Sequence, residues 1–176
     1  SINPLSKLKA LKIDQSPKVR YLSQEEETQL RLALSEREAA LKKERMQGNQ
    51  WRLERGYTPL DEFDENQYYD HLMPMVLISI NTGLRQGELF NLTWNMVDLS
   101  QKSLIVTGNI TKNSSSRYIP LNDEVMAVFQ TLYDNGDNNG LVFPSKDNKP
   151  FNTVKRSWGT LLKKAKIEQF RWHDLR

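Results

Sequence analysis

The sequence predicts a mainly α-helical fold that contains one small three-stranded antiparallel sheet. Apolar residues recur at the spacing of a helix face in most of the chain. Between residues 96 and 120 this pattern gives way to three short β-like runs, 96–99, 103–107 and 117–120, which turn residues separate. A chain of 176 residues is long enough to bury a core of its own.

The first predicted helix has a clear start signal and a sparse apolar face. Ser23 and Glu26 have the spacing of a capping box, and the acidic residues after Ser23 suit a helix N-terminus. We expect the helix to lie on the surface, to run to about Gln47 and to stop at Gly48. The polar stretch 48–66 is then a solvated loop, because its acidic residues lack the spacing of a calcium-binding loop.

The second predicted helix has the clearest periodicity in the chain and should belong to the core. Gly83 is expected to cap its end, and a short helix over about 85–92 follows at once. Two helices joined by a tight glycine turn imitate a helix-turn-helix motif, although plain packing of consecutive helices is the commoner explanation. The residues that share the apolar face are Tyr69, Leu72, Met73, Val76, Leu77 and Ile80.

Two further helices are expected after the strands. Asn122 should cap a helix whose apolar face extends to Leu132, and Asn152 should cap a last helix with three lysines on its exposed side. Of the tyrosines, we interpret Tyr68, Tyr69 and Tyr118 as packing residues.

Composition excludes several classes of protein. The chain has no cysteine, which rules out disulfide scaffolds and thiolate chemistry, and its two histidines show no metal-binding spacing. No segment is apolar enough to cross a membrane. The net charge of +3 combines two basic ends, +4 over residues 1–20 and +6 over 146–176, with a middle part of −7. This distribution suits a protein that meets a polyanion, although an uneven solvated surface is the plainer explanation.

Several single residues are candidates for binding an anion. Arg85 is predicted near a helix N-terminus, where the dipole repels it unless an anion binds there or Glu88 pairs with it. Lys112 lies in the connection between two predicted strands, from which it could reach a site or simply point to water. His173 and Arg176 are three residues apart, so that a helical turn places them on one face, where a shared anion would relieve their repulsion.

Taken in order, the motifs are more specific than any one of them. After the run of residues 81–89, Asn-Thr-Gly-Leu-Arg-Gln-Gly-Glu-Leu, the chain continues with Thr111-Lys112, Pro120-Leu121, Val142-Phe143-Pro144 and His173-Asp174-Leu175-Arg176. This succession resembles the tyrosine recombinases, or phage-integrase superfamily, over about residues 20–176. Gly-Leu-Arg-x-Gly-Glu-Leu resembles the first arginine box of the family, and the last motif resembles its H-x-L-R box.

The resemblance implies an enzyme that performs site-specific DNA recombination through a 3′-phosphotyrosine intermediate, without metal or cofactor. Arg85 and Arg176 would clamp the scissile phosphate, and Glu88 would orient Arg85. Lys112 would act as the general acid toward the leaving 5′-hydroxyl. His173 would assist proton transfer and phosphate binding.

The resemblance also implies that the chain is a fragment. The family's nucleophilic tyrosine follows the H-x-L-R box, whereas all six tyrosines here precede it, so we assign the nucleophile to none of them. We expect residues 1–20 to be an interdomain linker or arm, and 21–176 to be a catalytic domain that lacks its C-terminal part and is inactive as given.

The expected partner is double-stranded DNA. The full-length protein would act as a tetramer on DNA, whereas the fragment should be a monomer, away from membranes. The expected location is the cytoplasm, at the nucleoid of a bacterial or phage-infected cell. A second hypothesis is a non-catalytic DNA-binding protein that retains the integrase fold. A third, a helix-turn-helix regulator built on residues 81–92, leaves the downstream motifs unexplained.

Overall fold

The computed structural model describes residues 20–64, 66–107 and 116–176. The predicted fold class is confirmed, since these residues form five α-helices and one antiparallel sheet of three strands. No helix among them is both long and apolar enough to span a membrane. The elements are α1 (Gln24–Glu54), α2 (Leu72–Thr82), α3 (Gln86–Phe90), β1 (Val97–Asp98), β2 (Ser103–Val106), β3 (Arg117–Pro120), α4 (Asp123–Asp134) and α5 (Lys155–Lys164), followed by the 3₁₀ helix Trp172–Leu175.

Helix α1 begins where the sequence predicts but does not stop at Gly48. Ser23 accepts a hydrogen bond from the Glu26 backbone N–H, and the Glu26 carboxylate accepts from the Ser23 N–H, which completes the capping box. The helix passes through Gly48 and ends at Glu54, ahead of Gly56, which has a φ of +74°. The predicted end at Gln47 and the predicted loop from residue 48 are therefore wrong.

Two sets of hydrogen bonds accompany the end of α1. The buried Asn49 side chain donates to the Leu60 carbonyl and accepts from the Leu60 N–H, so the chain after the helix folds back against its last turns. The Gly56 N–H donates to the Leu53 carbonyl and the Tyr57 N–H to the Arg52 carbonyl. This pair of bonds is the Schellman arrangement, which uses a left-handed glycine to satisfy the last carbonyls of a helix.

Helix α2 lies in the core, as its periodicity predicts. Seven of its eleven residues are buried, and it packs against α1, α3 and α4. Helix α1 contributes a narrow buried stripe that includes Leu30 and Leu34 and leaves most of its surface exposed. Gly83 ends α2 in the left-handed conformation, with a φ of +62°, and α3 begins three residues later. The short helix is confirmed, with bounds at Gln86 and Phe90.

The sheet is the predicted antiparallel meander, in the order β1-β2-β3. Its register pairs Val106 of β2 with Arg117 of β3. The side chains of β3 alternate between a partly buried and an exposed position. Tyr118 falls on the exposed side, with 74% of its surface accessible, so its interpretation as a packing residue is wrong.

Asn122 caps α4 as predicted, because its side chain accepts from the Val125 N–H. The prediction for Asn152 is wrong, since α5 starts after Val154. The hydroxyl of Thr153 accepts a hydrogen bond from the Lys155 N–H instead. Thr153, one residue nearer to the helix, therefore provides the side-chain hydrogen bond that the sequence predicts for Asn152.

Candidate phosphate-binding site

The candidate site is built on the first turn of α3. Arg85 is the N-cap residue of this helix and Glu88 is the third residue inside it. The Glu88 carboxylate accepts from the Arg85 backbone N–H at 2.8 Å and from the Arg85 Nη1 at 2.9 Å. The acid thus caps the helix and holds the arginine with the same group, which is the role that the resemblance implies for Glu88.

A second arginine, which sequence reasoning did not single out, shares the same carboxylate. Arg117, at the start of β3, donates from Nη2 to Glu88 Oε2 at 2.7 Å and from Nη1 to Oε1 at 3.2 Å. Arg117 and Ile119 lie on the partly buried side of the strand in the structure, and no local sequence pattern indicates which acid Arg117 would meet. An arginine on that side requires an acid, but the partner lies 29 residues away along the chain.

Glu88 is ionised in this arrangement. Its side chain is only 2% exposed, and burial acts to raise its pKa. The hydrogen bonds from the Arg85 backbone and from the guanidinium groups of Arg117 and Arg85 outweigh burial, so that the net pKa of Glu88 is lowered. The carboxylate therefore offers permanent negative charge to both arginines at neutral pH.

The 3₁₀ helix Trp172–Leu175 presents the other two candidate residues that the structure describes. Trp172 and Leu175 are buried, and the Trp172 ring meets Trp158 of α5 edge-on at 5.0 Å. His173 and Arg176 are exposed, and three residues per turn place them on one side of such a helix. The predicted common face of His173 and Arg176 is thus present.

Asp174 fixes this turn in the same way that Glu88 fixes α3. Its buried carboxylate accepts from the backbone N–H, the Nε and the Nη2 of Arg171. The hydrogen bond from the Arg171 side chain is the main reason that the pKa of Asp174 is lowered. The turn that carries His173 and Arg176 is therefore held by a buried apolar side and a capping acid.

Gly83 brings the two halves of the site together. A Cβ atom at Gly83 would lie 3.5 Å from Cγ of Arg176, so the Arg176 side chain packs against the turn that leads into Arg85. Arg176 thus lies beside the glycine turn that precedes Arg85, although the two arginines are 91 positions apart in sequence. Lys112, the remaining candidate, lies outside the described residues.

The charge of this cluster is positive. Glu88 balances one of its two arginine partners, and within the described part of the chain Arg176 forms no ion pair. The Arg85 guanidinium uses one N–H on Glu88, and 41% of its side chain remains exposed. The site therefore has free guanidinium donors that can hold a tetrahedral oxyanion through two forked contacts.

Other polar groups that the sequence offers have structural roles or lie apart. His71 is half-buried; its Nε2 lies 3.1 Å from the Pro144 carbonyl oxygen, and its ring packs edge-on against Phe143 and Phe151. Burial lowers the pKa of His71. Among the described residues, which include three of the four acids of the stretch 61–65, no acid or histidine group has the arrangement of a metal site.

Comparison with solved structures identifies the class of this fold. It is similar to the XerA recombinase, with a TM-score of 0.59 and 22% identity over 89% of this chain and 47% of the other. The fold is also similar to the Tn1549 transposon integrase, solved with a circular intermediate DNA. The TM-score is 0.58 and the identity 22%, over 94% of this chain and 52% of the other. The fold is that of a tyrosine recombinase catalytic domain.

The family follows from the sequence comparison. The model of the phage integrase family matches residues 53–176, so the chain belongs to that family. The integrase of Salmonella phage P22 is 28% identical over 116 residues, which cover 60% of this chain and 30% of the phage protein. The chain thus spans about a third of the length of this curated relative.

Proposed function

We propose that this chain carries the phosphate-binding and proton-transfer groups of a site-specific recombinase that cuts and rejoins double-stranded DNA. The observation that carries the proposal is the contact of Arg176 with Gly83, which brings the H-x-L-R turn to the N-terminus of α3. Family membership and the solution of a related fold with DNA support it. The proposed reaction proceeds through a 3′-phosphotyrosine intermediate.

In this proposal the two arginines bind the scissile phosphate. The transition state of phosphoryl transfer carries added charge on its equatorial oxygens, and preorganised guanidinium groups stabilise that charge without rearranging. Arg85 approaches from the first turn of α3 and Arg176 from the 3₁₀ helix. Glu88 keeps Arg85 in place by accepting hydrogen bonds from its backbone N–H and from its Nη1.

His173 and Lys112 are the proposed proton-transfer groups. His173 lies on the same exposed side of the 3₁₀ helix as Arg176, where it can donate to a phosphate oxygen or exchange a proton with the nucleophile. Lys112 is proposed to protonate the 5′-oxygen as it leaves. We assign the nucleophile to none of the six tyrosines of this sequence, and propose that a tyrosine of a longer protein supplies it.

Trapping of the covalent intermediate tests the proposal. The recombinase that contains this sequence would be incubated with duplexes from the ends of its own mobile element, nicked near the cleavage position so that religation fails. We expect a protein–DNA adduct that survives denaturing electrophoresis. Arg85→Ala and Arg176→Ala should each reduce its rate of formation by at least about a hundredfold, since each removes transition-state contacts.

Arg55→Ala is the matched control, because Arg55 is an exposed arginine at the far end of α1. Its adduct should form at the rate of the unaltered protein. If the unaltered protein binds these ends but forms no adduct, the chain is a DNA-binding protein that retains the fold. An adduct that persists in Arg85→Ala would remove Arg85 from its proposed role.

A modified substrate tests the role of Lys112 separately. Replacing the bridging 5′-oxygen of the scissile phosphate by sulfur gives a thiolate leaving group, which needs no proton because thiols ionise near neutral pH. Lys112→Ala should be severely slow on the oxygen substrate and close to normal on the sulfur substrate. Arg85→Ala should stay slow on both, since its phosphate contact is needed in each case.

The oligomeric state is a further proposal. We propose that the 176-residue chain alone is a monomer, and that the full-length protein assembles into a tetramer on two duplexes. Analytical ultracentrifugation of the chain should give a single species of about 20.6 kDa. A stable dimer of the isolated chain would contradict this expectation.

A further inference from the structure

We propose that Arg117 is a positioning residue that acts through Glu88 to keep Arg85 open toward an anion, an inference that rests on the proposed function of Arg85. Arg117 approaches Glu88 from β3, whereas Arg85 approaches it from the start of α3. The Arg117 side chain is 32% exposed, whereas 41% of the Arg85 side chain is exposed. The more enclosed arginine therefore holds the acid, and the more exposed one faces solvent.

The proposal starts from the number of bonds that Glu88 accepts. Its Oε1 accepts from Nη1 of Arg85 and Nη1 of Arg117, and its Oε2 accepts from the Arg85 backbone N–H and Nη2 of Arg117. A carboxylate offers about four lone-pair positions, so all of them are used. The Arg117 guanidinium occupies the forked position across both oxygens, and Arg85 is left with a single side-chain contact.

The way in which the two arginines share Glu88 determines how many N–H donors of Arg85 remain for a ligand. An arginine and a carboxylate that meet alone tend to form a forked pair with two parallel bonds. If Arg85 formed that pair with Glu88, one face of its guanidinium would be consumed inside the protein. Because Arg117 takes the forked position, the Arg85 guanidinium keeps four of its five N–H donors for a ligand.

The charge argument leads to the same conclusion. An isolated Arg85–Glu88 pair would be neutral, and a neutral pair attracts a phosphate weakly. With Arg117 the three groups carry a net charge of +1, and Arg176 adds a further positive charge beside Gly83. Arg117 thus offsets the acid that orients Arg85, so that orientation is obtained without loss of positive potential.

Because Arg117 lies in the sheet, its bond to Glu88 also links the sheet to helix α3. Arg117 pairs in register with Val106, and the chain between these two strands contains Lys112. The bond to Glu88 therefore ties the end of the β2–β3 pair to the first turn of α3. This ion pair directly links the strand that follows the Lys112 connection to the carboxylate that also holds Arg85.

A spectroscopic measurement tests the positioning without DNA. The Arg85 Nε–Hε signal is assigned in a ¹⁵N-correlated NMR spectrum by its loss in Arg85→Lys, and is then followed in Arg117→Gln. Arg31→Gln is the matched control, because Arg31 also has 32% of its side chain exposed and joins two elements through Glu124. We expect the Arg85 signal to shift or broaden in Arg117→Gln and to stay unchanged in Arg31→Gln.

An unchanged Arg85 signal in folded Arg117→Gln would overturn the proposal. Should Arg117→Gln fail to fold, Arg117→Lys provides the same test, because lysine keeps the charge but cannot form the fork. We then expect an intermediate shift of the Arg85 signal. A signal identical to that of the unaltered chain in the lysine variant would equally reject the fork as the positioning device.

A double-mutant cycle tests the functional consequence. Affinity of the chain for a duplex at low salt is measured by fluorescence anisotropy for Arg85→Ala, Arg117→Gln and the double variant. We expect each single change to weaken binding about ten- to a hundredfold, the range expected for a hydrogen bond to a charged group, and the double change to weaken it little further. Arg31→Gln should bind like the unaltered chain and should be additive with Arg85→Ala.

The outcomes separate this inference from the proposed function. Full additivity of Arg85→Ala and Arg117→Gln would mean that Arg117 contacts DNA directly, and normal affinity of Arg117→Gln would mean that it only stabilises the fold. Both results would overturn the positioning role. If Arg85→Ala binds normally, the proposed function fails, whereas the NMR measurement still decides whether Arg117 sets the Arg85 side chain.

Discussion

At the scale of single residues, Glu88 forms an ion pair with the same arginine that the proposed function assigns to anion binding. From the sequence, a salt bridge to Glu88 and a bound anion are two alternative explanations for an arginine at position 85. The structure contains the salt bridge, yet Arg85 stays partly exposed, and Glu88 is shared with Arg117. The local half of this cluster could be predicted from spacing, but Arg117 could not, because only the tertiary fold brings it to Glu88.

We predict that Glu88→Gln destabilises the chain by about 3 kcal/mol, the size expected when one partner of a buried charge cluster is removed. A neutral amide cannot accept four charge-assisted bonds, and it leaves two guanidinium groups facing each other. Urea unfolding followed by circular dichroism at pH 7 measures the change. Glu124→Gln is the control, since that acid is 38% exposed and should cost less than about 1 kcal/mol.

A loss in Glu88→Gln no larger than that in Glu124→Gln would show that the arginines find other partners. In that case Glu88 would orient Arg85 without contributing to the stability of the fold.

A second residue-scale prediction concerns Gly83. Alanine at this position must adopt a φ near +62°, which costs about 1–2 kcal/mol for a residue with a Cβ atom. The added Cβ would lie 3.5 Å from Cγ of Arg176, an ordinary contact that does not push the arginine away. Gly83→Ala should therefore lower the unfolding free energy by about 1–2 kcal/mol and leave the affinity for duplex DNA within about twofold.

Reduced DNA affinity in Gly83→Ala, with the fold intact at the assay temperature, would show that Arg176 is displaced after all. The DNA affinity of Arg176→Ala gives the size of the effect when that side chain is removed completely.

At the scale of elements, the helix starts were easier to predict than the helix ends. The capping box at Ser23 and the cap at Asn122 are local hydrogen-bond patterns, and both are present. The end of α1 was predicted seven residues too early because Gly48 and Gly56 look alike in sequence. What distinguishes them is the contact of Asn49 with Leu60, which stabilises the helix beyond Gly48 and lies outside any local pattern.

Replacement by alanine should therefore change the stability in opposite directions at Gly48, inside α1, and at Gly56, just past its end. Gly48 lies in the helix interior with no atom within 4 Å of an added Cβ, so Gly48→Ala should stabilise the chain by about 0.5–1 kcal/mol. Gly56 has a φ of +74°, so Gly56→Ala should destabilise it by about 1 kcal/mol. Thermal unfolding of both variants against the unaltered chain measures the two signs, and equal signs would contradict the assigned end of α1.

At the scale of the whole molecule, much of the fold followed from periodicity and much of the site from motif order. The meander, the core helix and the turn at Gly83 are confirmed because each depends on local spacing. The convergence of Arg176 on Gly83 depends on how residues 172–175 pack against α5, since Trp172 contacts Trp158. Only the family resemblance suggested that these residues share one site, because no local pattern relates residues 83 and 176.

The whole chain should lose stability as the pH falls, in two stages. Partial burial of His71 lowers its pKa, so below about pH 6.5 the unfolded chain binds more protons than the folded chain. This linkage removes stability at up to about 1.4 kcal/mol per pH unit. Four carboxylates also have lowered pKa values, so the stability that their ionised forms contribute is lost below about pH 4.5. They are Glu26, Glu88, Glu124 and Asp174. The raised pKa of Glu38 has the opposite sign, because the folded chain binds this proton more readily than the unfolded chain, and its gain in stability occurs above about pH 4.5, before the second stage.

Replacement of His71 should separate the two stages. His71→Gln keeps an N–H donor for the Pro144 carbonyl but cannot gain a proton, so the urea midpoint should become flat between pH 7.5 and 5.5. The fall below about pH 4.5 should remain, because it arises from the carboxylates of the arginine clusters. His173→Gln is the control, because His173 is exposed and its replacement should leave both stages in place. If His71→Gln keeps the full loss between pH 7.5 and 5.5, the first stage does not originate at His71, and the buried histidine must accept its proton without opening the fold.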